Sequence, residues 1–164
     1  MTDSPSAAPP LLADATLGRL ARWLRLMGYD AAFLSTADDL ALIRMARAEG
    51  RVILTRSRKL SMRRGTQTIL IRSQALDEQI AQVKAQAGPP PEPRTPRCAI
   101  CNVPLIPLSH EAAQGRVPPY VWRTEKDFSA CPDCHRVYWA GSHWQAIRER
   151  TGSPHNHPNN RAAG

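Results

Sequence analysis

The chain has 164 residues, enough for one domain or two small ones. Its 22 basic and 14 acidic side chains give a formal net charge of +8, and such an excess favours polyanions as partners, nucleic acid first. The absence of an apolar run of about 18 residues excludes a membrane-spanning helix. The N-terminus lacks the basic and apolar regions of a signal peptide. We therefore expect a soluble, cytoplasmic protein whose thiols stay reduced.

The first half of the chain alternates between apolar runs, typical of buried strands, and helical patterns. Strands are predicted over residues 11–13, 31–34, 52–55 and 68–71. Helices are predicted from Thr16, as its cap, to Gly28, from Asp38 or Asp39 to Gly50, and over residues 74–86. This alternation predicts an α/β fold with a parallel sheet, in which the carboxyl ends of the strands share one edge. Ligands of open α/β sheets bind at that edge.

Three aspartates follow strands at this edge. Asp14 comes after the first strand, and Asp38 and Asp39 come after the second, where they open its helix. Carboxylates that lie together repel one another, so such a cluster favours a bound cation, and Mg²⁺ or Mn²⁺ prefers oxygen ligands. A cation held there can activate water and stabilise a phosphodiester under attack. The alternatives are helix capping by Asp38 or Asp39 and a turn role for Asp14, and both stay open.

Basic side chains surround the same edge. Arg19, Arg22 and Arg25 form one stripe of the first helix because they are three residues apart. A second group follows the third strand and comprises Arg56, Arg58, Lys59, Arg63 and Arg64. Backbone phosphates of a nucleic acid are the expected partners of both groups, and a solubilising surface is the alternative.

A proline-rich segment divides the chain. Residues 87–97 contain five prolines, which cannot continue a helix or a strand ladder, and we expect a stiff linker there. Residues 1–10 and 149–164 are polar or proline-bearing and are predicted to be disordered tails. The linker therefore separates an N-terminal domain over residues 11–86 from a C-terminal domain over residues 98–148.

All four cysteines lie in the C-terminal domain as two C-x-x-C pairs, Cys98 with Cys101 and Cys131 with Cys134. Zinc prefers four tetrahedral thiolate or imidazole ligands, and the two-residue gap lets both sulfurs of a pair reach one ion. A structural zinc ion is therefore the favoured interpretation. A redox motif would not need the second pair, and disulfides would need an oxidising compartment.

The C-terminal domain is also rich in aromatic residues. These are Tyr120, Trp122, Tyr138, Trp139 and Trp144. Aromatic rings can stack on unpaired bases of a nucleic acid. A small domain also needs them to fill its core, and both roles stay open at this point.

Long stretches of the chain resemble one known family. Residues 12–30 resemble its opening signature, and residues 97–102, 117–121 and 131–144 follow its C-terminal pattern of cysteines and aromatics. The family is named after the C-terminal ribonuclease domain of the Mut-seven exonuclease, and the resemblance covers residues 11–148. It implies a PIN-like nuclease domain, with a Rossmann-like parallel sheet flanked by helices, followed by a four-cysteine zinc ribbon.

The resemblance further implies a metal-dependent ribonuclease that hydrolyses RNA phosphodiesters. Asp14 matches the first acidic position of the family, and Asp38 and Asp39 match the acidic pair at the second helix. Asp14 and Asp39 would hold Mg²⁺ or Mn²⁺, with Asp38 in support. The phosphate-binding residues would be Arg19, Arg22, Arg56 and Arg58.

The chain departs from the family after the third strand. The family carries an aspartate at the position where this chain has Ser57. A serine hydroxyl can position a metal-bound water, but it brings no negative charge, so Mg²⁺ binding is expected to be weaker. Two other functions therefore stay open: a catalytically weakened RNA-binding module, and a protein-interaction adaptor built on the zinc ribbon.

Overall fold

The computed structural model describes residues 6–139, and the chain divides into two compact units between Thr95 and Pro96. In the first unit, strands and helices alternate along the chain, as predicted. The strands are β1 (Leu11–Ala13), β2 (Ala31–Phe33), β3 (Val52–Thr55) and β4 (Thr68–Leu70). The helices are α1 (Gly18–Leu26), α2 (Asp39–Glu49), α3 (Arg58–Ser61) and α4 (Leu76–Ala87). Within residues 6–139, no helix is long and apolar enough to cross a membrane.

The four strands form one parallel sheet in the order β2-β1-β3-β4. Ala13, the last residue of β1, is in register with Phe33 on one side and with Leu54 on the other. All four carboxyl ends therefore lie at one edge. From β1 the chain crosses to β2 on one side, and from β2 it crosses back over β1 to β3 on the other side. The crossovers therefore reverse direction between β1 and β3, and open α/β sheets bind ligands at this crossover reversal.

The sheet is covered by helices on both faces because successive side chains of a strand point to opposite sides. Leu11 of β1 and Leu54 of β3 are buried in one apolar cluster with α1 and α4. Leu12 and Ile53, their neighbours in sequence, belong to a second cluster with α2 and α3. Fully apolar strands are thus explained by burial on both faces, and the predicted α/β class is confirmed.

One local expectation for the first unit is wrong, and one helix was not predicted. Thr16 does not cap α1, because its hydroxyl is hydrogen-bonded to Asp14 and the helix begins after Leu17 without a side-chain cap. The short helix α3 was not predicted, since four residues are too few to establish a helical period.

The segments at both ends of the first unit pack against it. The backbone N–H of Ala8 donates to the carbonyl of Pro89 at 2.9 Å, and Ala8 is buried. The Tyr29 hydroxyl donates to the carbonyl of Gly88 at 2.9 Å. Apolar burial and hydrogen bonds thus hold Ala8, Gly88 and Pro89 in place, within the predicted tail over residues 1–10 and the predicted linker over residues 87–97. Residues 1–5 of that tail lie outside the described residues.

The second unit contains an antiparallel sheet in the order β5-β6-β7. Its elements are β5 (Ile106–Leu108), α5 (His110–Ala113), α6 (Pro119–Thr124), β6 (Phe128–Ala130) and β7 (Val137–Trp139). Its small apolar cluster consists of Ala113, Val117, Val121, Phe128 and Val137. This architecture and its cysteine cluster are compatible with the predicted zinc ribbon. The last part of that predicted domain, residues 140–148, and the predicted tail over residues 149–164 lie outside the described residues.

Candidate functional site

Asp14 lies directly after β1, at the crossover reversal of the sheet. Its backbone N–H continues the ladder by donating to the Leu54 carbonyl at 3.1 Å. Its Oδ1 accepts hydrogen bonds from the backbone N–H of Thr16 at 2.9 Å and from the Thr16 hydroxyl at 2.6 Å. Its Oδ2 accepts from the Thr55 hydroxyl at 2.6 Å. Three hydrogen bonds thus fix the orientation of a carboxylate that is only 8% exposed.

Thr55 connects three strand ends and was not singled out from the sequence. Its hydroxyl donates to Asp14 and accepts from the backbone N–H of Ser57 at 3.0 Å. Its carbonyl accepts from the backbone N–H of Ile71, just past β4, at 2.8 Å. The signal that could have found it is a hydroxyl at the end of an otherwise apolar strand, since a buried polar group requires partners.

Ser57 serves as the N-cap of α3. Its Oγ accepts a hydrogen bond from the backbone N–H of Leu60 at 3.2 Å. A serine hydroxyl has two acceptor positions and one donor, so the cap uses one of three hydrogen-bonding positions. The Ser57 O–H makes no hydrogen bond within residues 6–139 and is therefore available to a water molecule.

The two aspartates of α2 differ in their surroundings. Asp38 is the N-cap, with Oδ1 accepting from the backbone N–H of Leu40 at 2.9 Å, and its Oδ2 lies 3.7 Å from Nη2 of Arg44. The capping alternative therefore holds for Asp38. Asp39 lies in the first turn, is half-buried, and makes no side-chain hydrogen bond or ion pair in the described part of the chain.

The structure does not gather the three aspartates into one cluster. Across residues 6–139, the four cysteines form the only group of three or more Cys, His, Asp or Glu side chains close enough to share an ion. A cation at the sheet edge would therefore have at most two of the aspartates as ligands. This suits a weakly held ion, because Mg²⁺ often binds through one or two carboxylates and completes its shell with waters and substrate phosphates.

The carboxylate of Asp14 has room for such an ion. A carboxylate offers about four lone pairs, and the hydrogen bonds from Thr16 and Thr55 occupy three of them. The remaining lone pair is on Oδ2. Asp14 therefore fits a Mg²⁺ or Mn²⁺ ion as a single-oxygen ligand without giving up the hydrogen bonds that hold it.

The predicted basic stripe of α1 contains two surface residues and one buried residue. Arg19 and Arg22 are exposed, as a phosphate-binding role requires. Arg25 is 8% exposed, and its Nε donates to the carbonyl of Ala31 at 2.7 Å. The inclusion of Arg25 in the stripe was therefore wrong, because this guanidinium connects α1 to β2 and does not face solvent.

The arginines that follow β3 border an open groove. Arg56 and Arg58 line it together with Arg72, which follows β4, and its volume is about 410 Å³. Arg72 was not predicted as a site residue. The signal was available, because Arg72 comes directly after the fourth predicted strand and so reaches the same edge of the sheet.

The four cysteines of the second unit meet at one point. Their sulfur atoms all lie within 4.8 Å of one another, and the thiols are free. The Sγ atoms of Cys98 and Cys134 are 3.7 Å apart. A tetrahedron with Zn–S arms of about 2.3 Å has edges of about 3.8 Å, whereas a disulfide has an S–S length of about 2.0 Å. The cluster could therefore hold a structural metal such as zinc.

Each cysteine pair is built on the same turn. The backbone N–H of Asn102 donates to the carbonyl of Cys98 at 2.9 Å, and that of His135 donates to Cys131 at 3.0 Å. Asn102 and His135 both have a φ of 62°, the left-handed conformation that turns the chain back after the second cysteine. His135 is exposed, and its position is explained by this turn without a role as a metal ligand.

Tyr138 lies beside the cysteine cluster. Its buried hydroxyl accepts from the backbone N–H of Ala99 at 3.1 Å and lies 3.1 Å from Sγ of Cys98, to which it can donate. Burial alone would raise the pKa of the Cys98 thiol, but hydrogen bonds from Tyr138 and from two backbone N–H groups outweigh it and lower the pKa to about 7. Burial and the neighbouring thiols raise the pKa of Cys101 to about 12. Four thiolates can therefore gather at this point only around a cation, because each negative charge opposes the ionisation of the next thiol.

Most of the described aromatic residues fill the small core. Tyr138 is buried, and Trp122 and Trp139 pack against the apolar cluster. Trp122 also stacks on His110 with ring centroids 4.5 Å apart and donates from Nε1 to the His110 carbonyl. Tyr120 is 64% exposed and is the aromatic residue still open to base stacking. Trp144 lies outside the described residues.

The fold and the site define a class: an α/β protein with an anchored carboxylate at the crossover reversal of its sheet and a four-cysteine metal centre in a second unit. The family profile of the Mut7-C RNAse domain matches residues 9–151, so the chain belongs to this family. The predicted family is thereby confirmed, and its description suggests a nuclease-like role with RNA as substrate. No curated protein and no solved structure matches the chain.

Proposed function

We propose that the protein is a metal-dependent ribonuclease that hydrolyses RNA phosphodiesters at Asp14. The observation that carries this proposal is the set of three hydrogen bonds that fix a nearly buried carboxylate where α/β sheets bind ligands. Membership of an RNase family and a net charge of +8 support RNA as the substrate.

The residues of the site would divide the work as follows. Asp14, with Asp39 as second ligand, would hold Mg²⁺ or Mn²⁺, which when bound supplies Lewis acidity and an activated water. Ser57 would orient the attacking water through its unused O–H, and Asp38 would support Asp39 by fixing the start of α2. The phosphate-binding side chains would be Arg19, Arg22, Arg56 and Arg58. Attack by water forms a new P–O bond while the bond to the leaving ribose oxygen breaks.

The four cysteines would hold a structural zinc ion. All four coordination positions would be filled by thiolates, which leaves no open position for a substrate or a water. Free thiols and the absence of disulfides among the described cysteines support a reducing compartment such as the cytoplasm. The metal that takes part in the reaction would therefore be the ion at Asp14, and zinc would stabilise the second unit.

The test is single-turnover cleavage of a mixed-sequence, single-stranded RNA by the wild-type protein, with and without added Mn²⁺. We expect cleavage that requires Mn²⁺ and RNA binding that weakens with salt. Salt-sensitive binding with no cleavage in any divalent metal would contradict the nuclease proposal and favour the catalytically weakened RNA-binding module. Loss of both would favour the adaptor. The observation that keeps the binding module as second candidate is the lack of a three-carboxylate cluster at the edge.

Restoring the third acidic position is expected to raise activity. In Ser57→Asp, the new carboxylate can still accept the hydrogen bond from Leu60 N–H, since aspartate is as good an N-cap as serine. The added negative charge should lower the Mn²⁺ concentration that gives half-maximal cleavage about tenfold. Ser57→Asn, which caps equally well without charge, is the matched control. Equal rates in the two variants would show that the charge at this position is irrelevant.

Thr55 is expected to act as a positioning residue for Asp14. Thr55→Val keeps the shape of the side chain but removes the donor to Asp14 and the acceptor for Ser57 N–H. A buried polar group left without its partner costs about 1–3 kcal/mol, so we expect both a lower free energy of unfolding and about tenfold slower cleavage. Thr55→Ser keeps the hydroxyl and should retain the Mn²⁺ dependence of the wild type. Wild-type cleavage by Thr55→Val would refute this role.

A further inference from the structure

The groove beside the Asp14 site concentrates positive charge. Arg56, Arg58 and Arg72 line it with Leu70 and Ile71, and none of the described residues that line it is acidic. The three guanidinium groups make no hydrogen bond or ion pair with any residue between 6 and 139. Three like charges that share one groove repel one another, so the groove favours an anionic ligand.

Other arginines of the same unit are paired where they serve the fold. Arg25 donates to a backbone carbonyl, and Nη1 of Arg51 lies 2.7 Å from Oδ1 of Asp30 and also donates to the Leu11 carbonyl. Arginines of this unit therefore fall into two groups, those that hold the fold together and those that line the groove. The guanidinium groups of the groove hold no element of the fold together and are open to a ligand.

The wall of the groove that carries Arg72 is held rigidly by α4. Gln82 donates from Nε2 to the Leu70 carbonyl at 2.6 Å and accepts at Oε1 from the backbone N–H of Arg72 at 3.1 Å. Gln79, which is 7% exposed, donates from Nε2 to the Ser73 carbonyl at 2.9 Å. Two glutamines thus fix the backbone on both sides of Arg72, which lowers the entropy lost when a ligand binds.

The opposite wall, which carries Arg56 and Arg58, follows Thr55 in the chain, and Thr55 is hydrogen-bonded to Asp14. The Thr55 carbonyl accepts from Ile71 N–H inside the groove, while the Thr55 hydroxyl donates to Asp14. In the sheet, β3 separates β1 from β4, so the end of β4 lies about two strand spacings, or about 10 Å, from the end of β1. A strand of nucleic acid with a phosphate at Asp14 can therefore place a neighbouring phosphate in the groove.

We propose that this groove is a phosphate subsite for single-stranded RNA, occupied by a nucleotide next to the one at Asp14, and that Arg72 is one of its phosphate ligands. The inference rests on the proposed function, because it takes RNA as the ligand. A volume of about 410 Å³ lies near the lower end of the range of small-ligand sites and suits one nucleotide. Arginine forks bind phosphate oxygens in pairs, and such contacts carry affinity without sequence preference.

The test is equilibrium binding of short single-stranded oligoribonucleotides in buffer without Mg²⁺ or Mn²⁺, where cleavage does not interfere and the metal of the cysteine cluster is not removed. Arg72→Gln is expected to weaken binding about tenfold and to reduce the slope of log affinity against log salt by about one. Arg44→Gln, which removes the same charge from an exposed position of α2 outside the groove, is the matched control and should change affinity less than twofold. Equal effects of the two variants would overturn the subsite, since they would reflect net charge alone.

Two forms of the probe separate the possible sources of the phosphate. With a terminal phosphate in the groove, the 5′-phosphorylated oligonucleotide binds wild type more tightly than its unphosphorylated counterpart, and Arg72→Gln removes the difference. With an internal phosphate, both probes bind equally and Arg72→Gln weakens both. Wild-type affinity of Arg72→Gln for both probes, or no RNA binding by the wild type, would overturn the proposal.

A variant of Gln82 gives a second test. If the groove acted through its charge alone, changing Gln82 would leave the affinity for RNA unchanged. Gln82→Leu keeps all three arginines but releases the hydrogen bonds to the Leu70 carbonyl and to the backbone N–H of Arg72. We expect weaker RNA binding with an unchanged slope of log affinity against log salt, because the number of phosphate contacts stays the same.

The binding measurements do not depend on catalysis, so the subsite and the nuclease activity can fail separately. RNA binding that depends on Arg72, in a protein that does not cleave, would keep the subsite and refute the nuclease. RNA cleavage by the wild-type protein, together with wild-type RNA affinity of Arg72→Gln, would keep the nuclease and refute the subsite.

Discussion

Asp14→Asn is expected to reduce single-turnover cleavage of RNA at least about 100-fold, because removing a metal-binding carboxylate removes several kcal/mol of transition-state stabilisation. The side chain keeps its size and one carbonyl oxygen but loses the charge that attracts the cation. Affinity for RNA in buffer without Mg²⁺ or Mn²⁺ should stay near the wild-type value or rise slightly, since one negative charge has been removed. The rate and the affinity therefore separate catalysis from binding in one variant.

The surroundings of Asp14 allow this substitution without unfolding. The asparagine oxygen can take the place of Oδ1 and accept from the two Thr16 donors. The amide NH₂ would then face the Thr55 hydroxyl, whose oxygen has two acceptor positions and uses one for Ser57 N–H. We expect a change in the free energy of unfolding of only about 1 kcal/mol. Unchanged cleavage by a folded Asp14→Asn protein would contradict the proposed role of Asp14.

Removal of the metal from the cysteine cluster is expected to unfold the second unit. Structural zinc contributes about 10–16 kcal/mol of apparent binding free energy in small zinc domains, and that energy is folding energy. Between residues 96 and 139, the apolar cluster of this unit has five buried residues, too few to replace the metal. Metal analysis should find about one zinc per chain. After chelation, or in Cys131→Ser, the Trp122 indole signal in an NMR spectrum should shift to its unfolded position.

His135→Asn provides the matched control for the zinc prediction. Residue 135 adjoins a cysteine of the cluster, but its role in the structure is a left-handed turn, and asparagine adopts that conformation readily. The variant should bind zinc in the same proportion and keep the folded Trp122 signal. A dispersed Trp122 signal in the metal-free wild-type protein would show that the unit folds without zinc. Loss of zinc in His135→Asn would instead show that His135 is itself a ligand.

The elements of the fold that could be predicted are those with a local signal. Apolar runs over residues 52–55 and 11–13 predicted strands buried on both faces, and the alternation of strands and helices predicted the parallel sheet. The four cysteines could be grouped because a two-residue gap carries its own geometry. Asp14 could be placed at the edge because residues that follow parallel strands share one edge.

The remaining features depend on contacts between distant parts of the chain. The hydrogen bond from Thr55 to Asp14 joins residues far apart in sequence, and no local pattern indicates it. Ser57 could be compared with an acidic position, yet its role as the cap of α3 depended on a helix too short to predict. Arg25 has the spacing of a surface stripe, but the carbonyl of Ala31 draws it into the interior.

The two cysteine turns are closed by hydrogen bonds within each turn, and this has a consequence for the length of the chain between them. These bonds join Asn102 N–H to the Cys98 carbonyl and His135 N–H to the Cys131 carbonyl. Insertions between α5 and α6, away from both turns, would lengthen a loop, at a penalty that grows only slowly with its length. Gly115, whose Cβ position is open, offers a place where a peptide tag could be inserted. The second unit thus offers an attachment point for labels that report on RNA binding.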